Sequence, residues 1–181
     1  MMKLKYLICN HKNKLTYNEL KKYTNGLKNI DTSKVKFVVC PSLPYIYNFI
    51  DYELCSQDIS QYEEVITGET TGKQLKELLI KYVLIGHAER RKYLKENNEV
   101  LIRKIKMANK NDIKVIYCVT EEESDLDSAK RKIKEYIDSV NLYLKDDAII
   151  AYEPIWAIGN DLELDYNYIN EIISYIKELT N

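Results

Sequence analysis

The stretch KVIYCV, residues 114–119, is apolar at almost every position instead of alternating between apolar and polar residues. Two further runs share this character, VKFVVC at residues 35–40 and AIIAY at residues 148–152. Strands that are apolar throughout are typical of parallel sheets with both faces covered. Because helical patterns separate these runs, the sequence predicts an α/β fold with crossover helices. Periodicity leaves open whether the sheet is doubly wound or closed into a barrel.

This alternation of strands and helices continues along the chain. The predicted strands occupy residues 3–12, 34–42, 52–60, 83–86, 114–120 and 148–152. The predicted helices occupy residues 16–30, 45–50, 73–82, 97–109, 124–144 and 165–179. No Pro-, Gly- or Ser-rich linker interrupts the 181 residues, so we expect a single domain over residues 1–181.

Composition limits the classes of partner. The chain carries 27 Lys and Arg against 28 Asp and Glu, so no overall positive field attracts nucleic acid or an anionic membrane surface. No apolar run approaches the roughly 18 residues of a membrane span. We therefore expect a cytoplasmic protein that binds neither nucleic acid nor membrane. The four cysteines lie far apart without a CxxC pair, which favours free buried thiols over a disulfide or a metal site.

Polar residues follow several of the predicted strands, at the sheet edge where parallel α/β folds collect their functional groups. The main positions are Asn10, Lys12, His87, Glu89, Glu121 and Glu153. A carboxylate base, an imidazole and a fixed cation together suit removal of a proton next to a carbonyl, with stabilisation of the oxyanion that develops. Taken singly, each residue has a more common structural reading, as a solvated lysine, a hydrogen-bonded histidine or a glutamate in a turn.

Two segments stand out by their order and spacing, VLIGHAERR at residues 83–91 and AYEPIWAIGN at residues 151–160. They resemble the Gly-His-Ser-Glu-Arg-Arg and Ala-Tyr-Glu-Pro-Val-Trp-Ala-Ile-Gly segments of the triosephosphate isomerase family. Shorter matches in register with them are ICNHK, CSQDIS, ITGET and VIYCVTE, which begin at residues 8, 55, 66 and 115. The resemblance covers the whole chain and implies a TIM-barrel fold.

The resemblance also implies an activity, the interconversion of dihydroxyacetone phosphate and D-glyceraldehyde 3-phosphate without cofactor or metal. Glu153 would be the base and His87 the neutral electrophile, a pair for which this family is itself a worked example. Lys12 would bind the phosphorylated substrate and offset its charge, and Asn10 beside it would shape the pocket. The backbone amide of Gly159 would contact the phosphate.

Other matched residues would support this site. By resemblance, Glu89 accompanies the histidine, and Glu96 is a structural acid that pairs inside the fold. Residues 155–160 would begin a lid that excludes water from the reacting carbons. Thr67-Gly68-Glu69 matches a loop that enters the partner subunit in the family, which implies a homodimer. A plain surface turn is the alternative reading of that loop.

The chain also departs from the family pattern. A barrel of this kind has eight strands over about 250 residues, whereas only six β/α units can be read here. None of the five glycines is adjacent to another, so the glycine-rich phosphate loops that follow strands seven and eight have no match. We therefore expect an incomplete TIM barrel with open edges on its first and sixth strands. The alternative to an active isomerase is a weakly active or inactive relative, a partial scaffold that needs a complementing chain.

Overall fold

The computed structural model describes residues 5–158 and 165–180. Its strands, β1 to β6, occupy Lys5–Asn10, Val35–Cys40, Glu53–Ser56, Tyr82–Ile85, Lys114–Glu121 and Ile149–Pro154. Its α-helices, α1 to α6, occupy Tyr17–Leu27, Gly72–Glu77, Ala88–Tyr93, Asn98–Lys110, Leu126–Val140 and Tyr166–Leu179. Short 3-10 helices occupy Leu43–Phe49, Asn141–Tyr143 and Ile155–Ala157.

The strands form one parallel sheet in which spatial order repeats chain order, from β1 at one edge to β6 at the other. A doubly wound sheet reverses its strand order at a switch point, and this sheet does not. The sheet instead curls as part of a barrel. The predicted class, a parallel α/β sheet of the TIM-barrel type with six β/α units, is therefore confirmed.

Successive strand residues point to opposite faces of the sheet, and each face has its own apolar cluster. The larger cluster joins outward residues such as Val39, Val83 and Tyr117 to the buried faces of the helices. The smaller cluster lies on the inner face and includes Cys40 and Leu84. Burial on both faces explains why the central strand sequences are continuously apolar.

The two outer strands are less buried than the central ones. Every residue of β4 is buried, whereas β1 exposes its first three residues and β6 has no fully buried residue. Among the described residues each outer strand pairs on one side only. The expected open edges therefore fall on β1 and β6.

Side chains at the helix starts set most helix boundaries. Thr71 and Gln74 form a reciprocal capping box at the start of α2. Asn97 caps α4, Asp125 caps α5 and Asp165 caps α6, each by accepting a hydrogen bond from a backbone N–H of the first turn. The sequence predicted these three starts to within about two residues because caps are readable signals.

Several elements differ from those predicted from the sequence. The strand expected over residues 52–60 ends at Ser56, and the helix expected over residues 45–50 is a 3-10 helix over Leu43–Phe49. The helix expected over residues 73–82 ends at Glu77, because Leu79 adopts a left-handed conformation with φ 58° that no helix interior allows. Tyr82, placed at the end of that helix, instead begins β4. The short helix α3 was not predicted at all, since its six residues are too few to display a helical period.

The cysteines are free, and three of them, Cys40, Cys55 and Cys118, are buried as expected, whereas Cys9 is only partly buried. Burial raises the pKa of the Cys55 and Cys118 thiols well above the usual value, which disfavours the reactive thiolate.

Within the described ranges, no helix has both the length and the apolar character that a membrane crossing requires.

Candidate active site

Lys12 and His87 follow the carboxyl ends of β1 and β4, and Glu153 is the penultimate residue of β6. All three therefore lie at the same rim of the sheet. A cavity of about 440 Å³ opens there, and Asn10, Lys12 and His87 line it. Glu153 adjoins this cavity through its contact with His87. Lys12 and His87 thus line one cavity, and the Glu153 carboxylate, which does not itself line it, lies next to His87.

The backbone at Lys12 is held in an uncommon conformation, with φ 51°. Its N–H donates to Asn10 Oδ1 at 3.0 Å, and its carbonyl accepts from Gln57 Nε2 at 2.8 Å and from Ser42 Oγ at 3.1 Å. These bonds fix the direction of the side chain. Lys12 Nζ reaches Glu89 Oε1 at 2.8 Å, a solvent-accessible ion pair of modest strength.

His87 caps the N-terminus of α3, and this role fixes its proton. The backbone N–H of Glu89 donates to His87 Nδ1 at 3.3 Å, so Nδ1 is an acceptor and carries no hydrogen. The proton of the ring therefore lies on Nε2, which is 2.7 Å from Glu153 Oε1. A hydrogen on Nε2 is one that His87 could donate to a carbonyl oxygen in place of Glu153.

Gly86 permits this placement of His87. Its φ is 80°, and a Cβ built on it would come within 2.8 Å of the Arg91 guanidinium. Arg91 in turn donates to the Gly86 carbonyl at 2.7 Å and packs over the ring of Tyr136. A residue with a side chain at position 86 would therefore be strained in backbone and crowded in space.

Glu153 is held at several points. Its carbonyl accepts from Thr120 Oγ1 at 2.8 Å, and its carboxylate accepts from the Ala88 backbone N–H at 3.0 Å as well as contacting His87. The side chain is mostly buried. This arrangement holds the carboxylate beside the cavity while leaving a partner, His87, that an incoming oxygen atom can replace.

Behind α3 lies a group of charged side chains that we call the ion cluster, formed by Asp58, Arg90, Glu96 and Lys104. Glu96 Oε1 accepts from Arg90 Nε at 2.8 Å and from Lys104 Nζ at 2.6 Å. Burial pushes the pKa of Glu96 upward, but the hydrogen bonds from Lys104 and Arg90 outweigh burial and leave it below the usual value. For Asp58, burial prevails and raises the pKa.

At the end of β5 lies a second group, which we call the Glu121 cluster, formed by Glu121, Tyr152, Trp156 and Tyr168. Glu121 Oε1 accepts from the Tyr152 hydroxyl and the Trp156 indole N–H, both at 2.6 Å, and from the Tyr168 hydroxyl at 3.4 Å. Only 3% of Glu121 is exposed. Burial raises its pKa, and hydrogen bonds from Tyr152 and Trp156 offset only part of this effect.

The remaining sequence-predicted residues fall into three groups. Glu89 lines the cavity, and Glu96 lies away from it in the ion cluster. Thr67-Gly68-Glu69 forms an exposed turn closed by a hydrogen bond from Glu69 N to the Ile66 carbonyl. Gly159 and the end of the expected lid lie outside the described residues.

No three His, Cys, Asp or Glu side chains are grouped to hold a metal ion in the part that the structure describes.

Several residues that build the site were not singled out from the sequence. Gln57, Ser42 and Thr120 all act on backbone carbonyls of proposed site residues, which a sequence pattern does not reveal. Lys104 had a readable signal. It occupies the same helical face as the buried residues Leu101, Ile105 and Ala108, where a lysine needs a buried partner.

Comparison with known proteins identifies relatives over most of the chain. A family model described as triosephosphate isomerase matches residues 5–181. Triosephosphate isomerase of Blochmanniella floridana is 33% identical over 183 residues, covering 92% of this chain and 69% of the relative. The enzyme of that name in Campylobacter concisus (strain 13826) is 34% identical over 178 residues, with coverages of 97% and 77%. That of Mesomycoplasma hyopneumoniae (strain 232) is 40% identical over 130 residues, with coverages of 70% and 54%.

The matched region spans between 54% and 77% of the length of these relatives. Within this chain, the family match includes all six strands and the whole rim described above. The parallel order of the strands agrees with the barrel architecture. This chain therefore belongs to the triosephosphate isomerase family.

Proposed function

We propose that this chain interconverts dihydroxyacetone phosphate and D-glyceraldehyde 3-phosphate, with Glu153 as the base, His87 as the electrophile and Lys12 as the cation that binds the substrate. Family membership supports the reaction. The meeting of these three side chains at one rim supports the roles. The proposal needs neither a metal nor a cofactor, because the reaction only moves protons between neighbouring carbon and oxygen atoms.

In the proposed reaction, the Glu153 carboxylate removes a proton from the carbon next to the substrate carbonyl and returns it to the neighbouring carbon. The enediolate formed between these steps carries its charge on the former carbonyl oxygen. The proton of the neighbouring hydroxyl passes to this oxygen before the carbon is reprotonated, so that the hydroxyl oxygen becomes the new carbonyl. Glu153 is confined by the Thr120 and Ala88 hydrogen bonds, so little freedom is lost when it acts. The mostly buried position of the carboxylate limits competition from water.

His87 stabilises the developing oxyanion through its Nε2 hydrogen. In the structure Nε2 lies 2.7 Å from Glu153 Oε1, so that a hydrogen on Nε2 is donated to the carboxylate. A substrate oxygen that enters the rim takes over this hydrogen and frees the carboxylate for the carbon. The exchange keeps both groups hydrogen-bonded in each state, which avoids the cost of an unpaired buried group.

Lys12 attracts the anionic substrate. Its ammonium contacts the Glu89 carboxylate, and a substrate phosphate could replace this carboxylate as its partner. The hydrogen bonds from Gln57 and Ser42 to the Lys12 carbonyl keep the side chain directed at the cavity. We expect loss of Lys12 to weaken substrate binding and the stabilisation of the oxyanion together.

The observation that carries the proposal is the 2.7 Å contact between His87 Nε2 and Glu153 Oε1 at the edge of a lysine-lined cavity. The test is turnover by the purified 181-residue chain in a coupled isomerase assay, together with solvent deuterium incorporation into the substrate followed by NMR. Glu153→Gln should lower both by about 10²–10⁴-fold, the usual contribution of a general base. Glu122→Gln, an exposed carboxylate at the end of the neighbouring strand, is the matched control.

Two results would contradict this assignment. One is a Glu153→Gln variant that exchanges deuterium as fast as the Glu122→Gln control. The other is a wild-type chain that folds and yet neither turns over nor exchanges substrate protons. The first result would show that Glu153 is not the base. The second would show that the chain is not an isomerase.

We also propose a homodimer in which the turn at Thr67-Gly68-Glu69 meets a second copy of the chain. The resemblance of this turn to the family's intersubunit loop motivates the proposal, and the exposure of residues 62–69, with Val65 fully exposed, supports it. Sedimentation equilibrium at micromolar concentration should give twice the mass of one chain. A monomer at that concentration would contradict the proposal.

A second candidate function is a partial scaffold that needs a complementing chain. The half-exposed outer strands β1 and β6, each paired on one side among the described residues, favour it. Deuterium exchange distinguishes the two candidates. An isolated scaffold should bind substrate weakly and leave its protons unexchanged, whereas the isomerase exchanges them.

A further inference from the structure

We propose that Tyr168, in the first turn of α6, is a positioning residue that acts on Glu153 through Glu121. The proposal rests on the function proposed above, because it takes Glu153 as the base. It concerns a side chain on a helix that lies outside the rim and that neither the motifs nor the resemblance singled out.

The first observation is the convergence of donors on one oxygen atom. Glu121 Oε1 accepts from Tyr152, Trp156 and Tyr168, while its Oε2 is buried without a hydrogen-bond partner among the described residues. The side-chain donors to Glu121 among the described residues are thus these three. Its position is fixed by β5, whose last residue it is, and by the pairing of that strand with β6.

The second observation is where the donors lie in the chain. Tyr152 immediately precedes Glu153, and Trp156 follows it in the short 3-10 helix after β6. Glu121 therefore holds one side chain on each side of the proposed base. Thr120, the neighbour of Glu121, also holds the Glu153 carbonyl at 2.8 Å. The two last residues of β5 thus set the position of Glu153.

The third observation is the contribution of Tyr168. Its hydroxyl reaches Glu121, and its ring packs edge-on against Trp156, with centroids 5.7 Å apart and planes at 84°. Its helix is firmly placed, since Asp165 caps it and Ile172 and Ile176 are buried on its inner face. Tyr168 therefore ties the segment after Glu153 to a packed helix, the kind of support that holds a functional residue in place.

The test uses Tyr168→Phe, which keeps the ring and removes the hydroxyl, and Tyr166→Phe as the matched control. Tyr166 belongs to the same helical turn and is 78% exposed. Trp156 is the only tryptophan of the chain, so intrinsic fluorescence reports on the cluster directly. Tyr168→Phe should shift the Trp156 emission and increase its quenching by acrylamide, and Tyr166→Phe should change neither.

Kinetics separates positioning from general stability. Tyr168→Phe should lower kcat about three- to tenfold, the effect of one lost hydrogen bond to a carboxylate, and leave KM within about twofold. In a Glu121→Gln background the same substitution should change kcat by less than about twofold, because residues that act through one another are not additive. The control should leave kcat unchanged in both backgrounds.

Two results overturn the proposal. In the first, Tyr168→Phe matches Tyr166→Phe in both emission and kcat. In the second, Tyr168→Phe lowers kcat by the same factor with and without Glu121, so that its effect does not pass through that carboxylate. A wild-type chain without turnover would remove the proposed function, and the fluorescence comparison would still support or overturn the contact between Tyr168 and the segment after Glu153.

Discussion

The ion cluster and the Glu121 cluster both bury a carboxylate near the same rim, but they use opposite chemistry. In the ion cluster, Glu96 accepts hydrogen bonds from two cations, Arg90 and Lys104, and its pKa lies below the usual value. In the Glu121 cluster the donors are hydroxyl and indole groups without charge, and the pKa of Glu121 is raised by burial. The difference teaches that burial alone does not set the direction of a carboxyl pKa shift. Cationic partners outweigh burial at Glu96, whereas burial prevails at Glu121 and also at Asp58.

The largest expected effect is on the ion cluster. Lys104→Met removes a cation that is 3% exposed and leaves Asp58 and Glu96 with Arg90 as their remaining cationic partner. Breaking a buried pair in this way costs about 3–5 kcal/mol, to be measured as the free energy of unfolding in urea at pH 7. Lys110→Met is the control, since both members of its ion pair with Glu63 are more than half exposed. It should cost no more than about 1 kcal/mol.

If the two lysine variants lose the same stability, the ion cluster has no special energetic role and the contrast between the two clusters fails. A loss confined to Lys104→Met shows that partner charge matters when the pair is buried. The slope of the urea transition should stay constant, so that the change is one of stability and not of compactness.

The second prediction concerns the pH dependence of Glu96. A carboxyl group with a lowered pKa in the folded state stabilises above its unfolded value of 4.5, and this contribution is lost as the pH falls through the folded pKa. Glu96→Gln should therefore cost about 2–3 kcal/mol at pH 7 and less at pH 4, measured by urea unfolding. Asp58 titrates in the opposite sense because its pKa is raised, so only the difference between wild type and variant isolates Glu96.

For Glu121 we expect the opposite change of stability with pH. A carboxyl group with a raised pKa stabilises fully below the unfolded value of 4.5, and the contribution is lost as the pH rises through the folded pKa. Wild type should gain stability relative to Glu121→Gln as the pH falls from 7 to 4.5, by about 1 kcal/mol. Urea unfolding at both pH values checks it. Parallel trends for Glu96→Gln and Glu121→Gln would show that the two clusters do not differ.

The smallest expected effect concerns His11, a partly buried residue whose ring nitrogens are inaccessible to solvent. Both ring nitrogens of His11 lack a hydrogen-bond partner among the described residues, and the ring packs edge-on against Tyr23 and Phe49. Burial lowers the pKa of His11, so the unfolded chain takes up a proton first and stability is lost as the pH falls below about 6.5.

His11→Phe removes this titration. Relative to wild type, the variant should gain stability when the pH is lowered from 7.5 to 5. The gain in the free energy of unfolding should be less than about 1 kcal/mol, measured by thermal or urea unfolding. Equal differences at the two pH values would mean that the imidazole has the same pKa in the folded and the unfolded chain, contrary to the effect expected from its burial.

The parallel architecture could be read from the chain because burial on both sheet faces leaves a continuous apolar run, as in residues 114–119. The positions of Lys12, His87 and Glu153 followed from strand ends and from the family resemblance. The Glu121 cluster could not be read in this way. Its donors lie 31 to 47 residues further along the chain, and only the pairing of β5 with β6 brings them together.

The chain-order arrangement of the sheet has a consequence for synthesis on the ribosome. Each strand pairs with the strand made just before it, so contacts are short in sequence and every new β/α unit meets a surface that already exists. We therefore expect the β1–β4 part, which carries His87, to gain structure before β6 has left the exit tunnel. Glu153 would then be the last of the three proposed site residues to arrive, added to a nascent rim that is already organised to receive it.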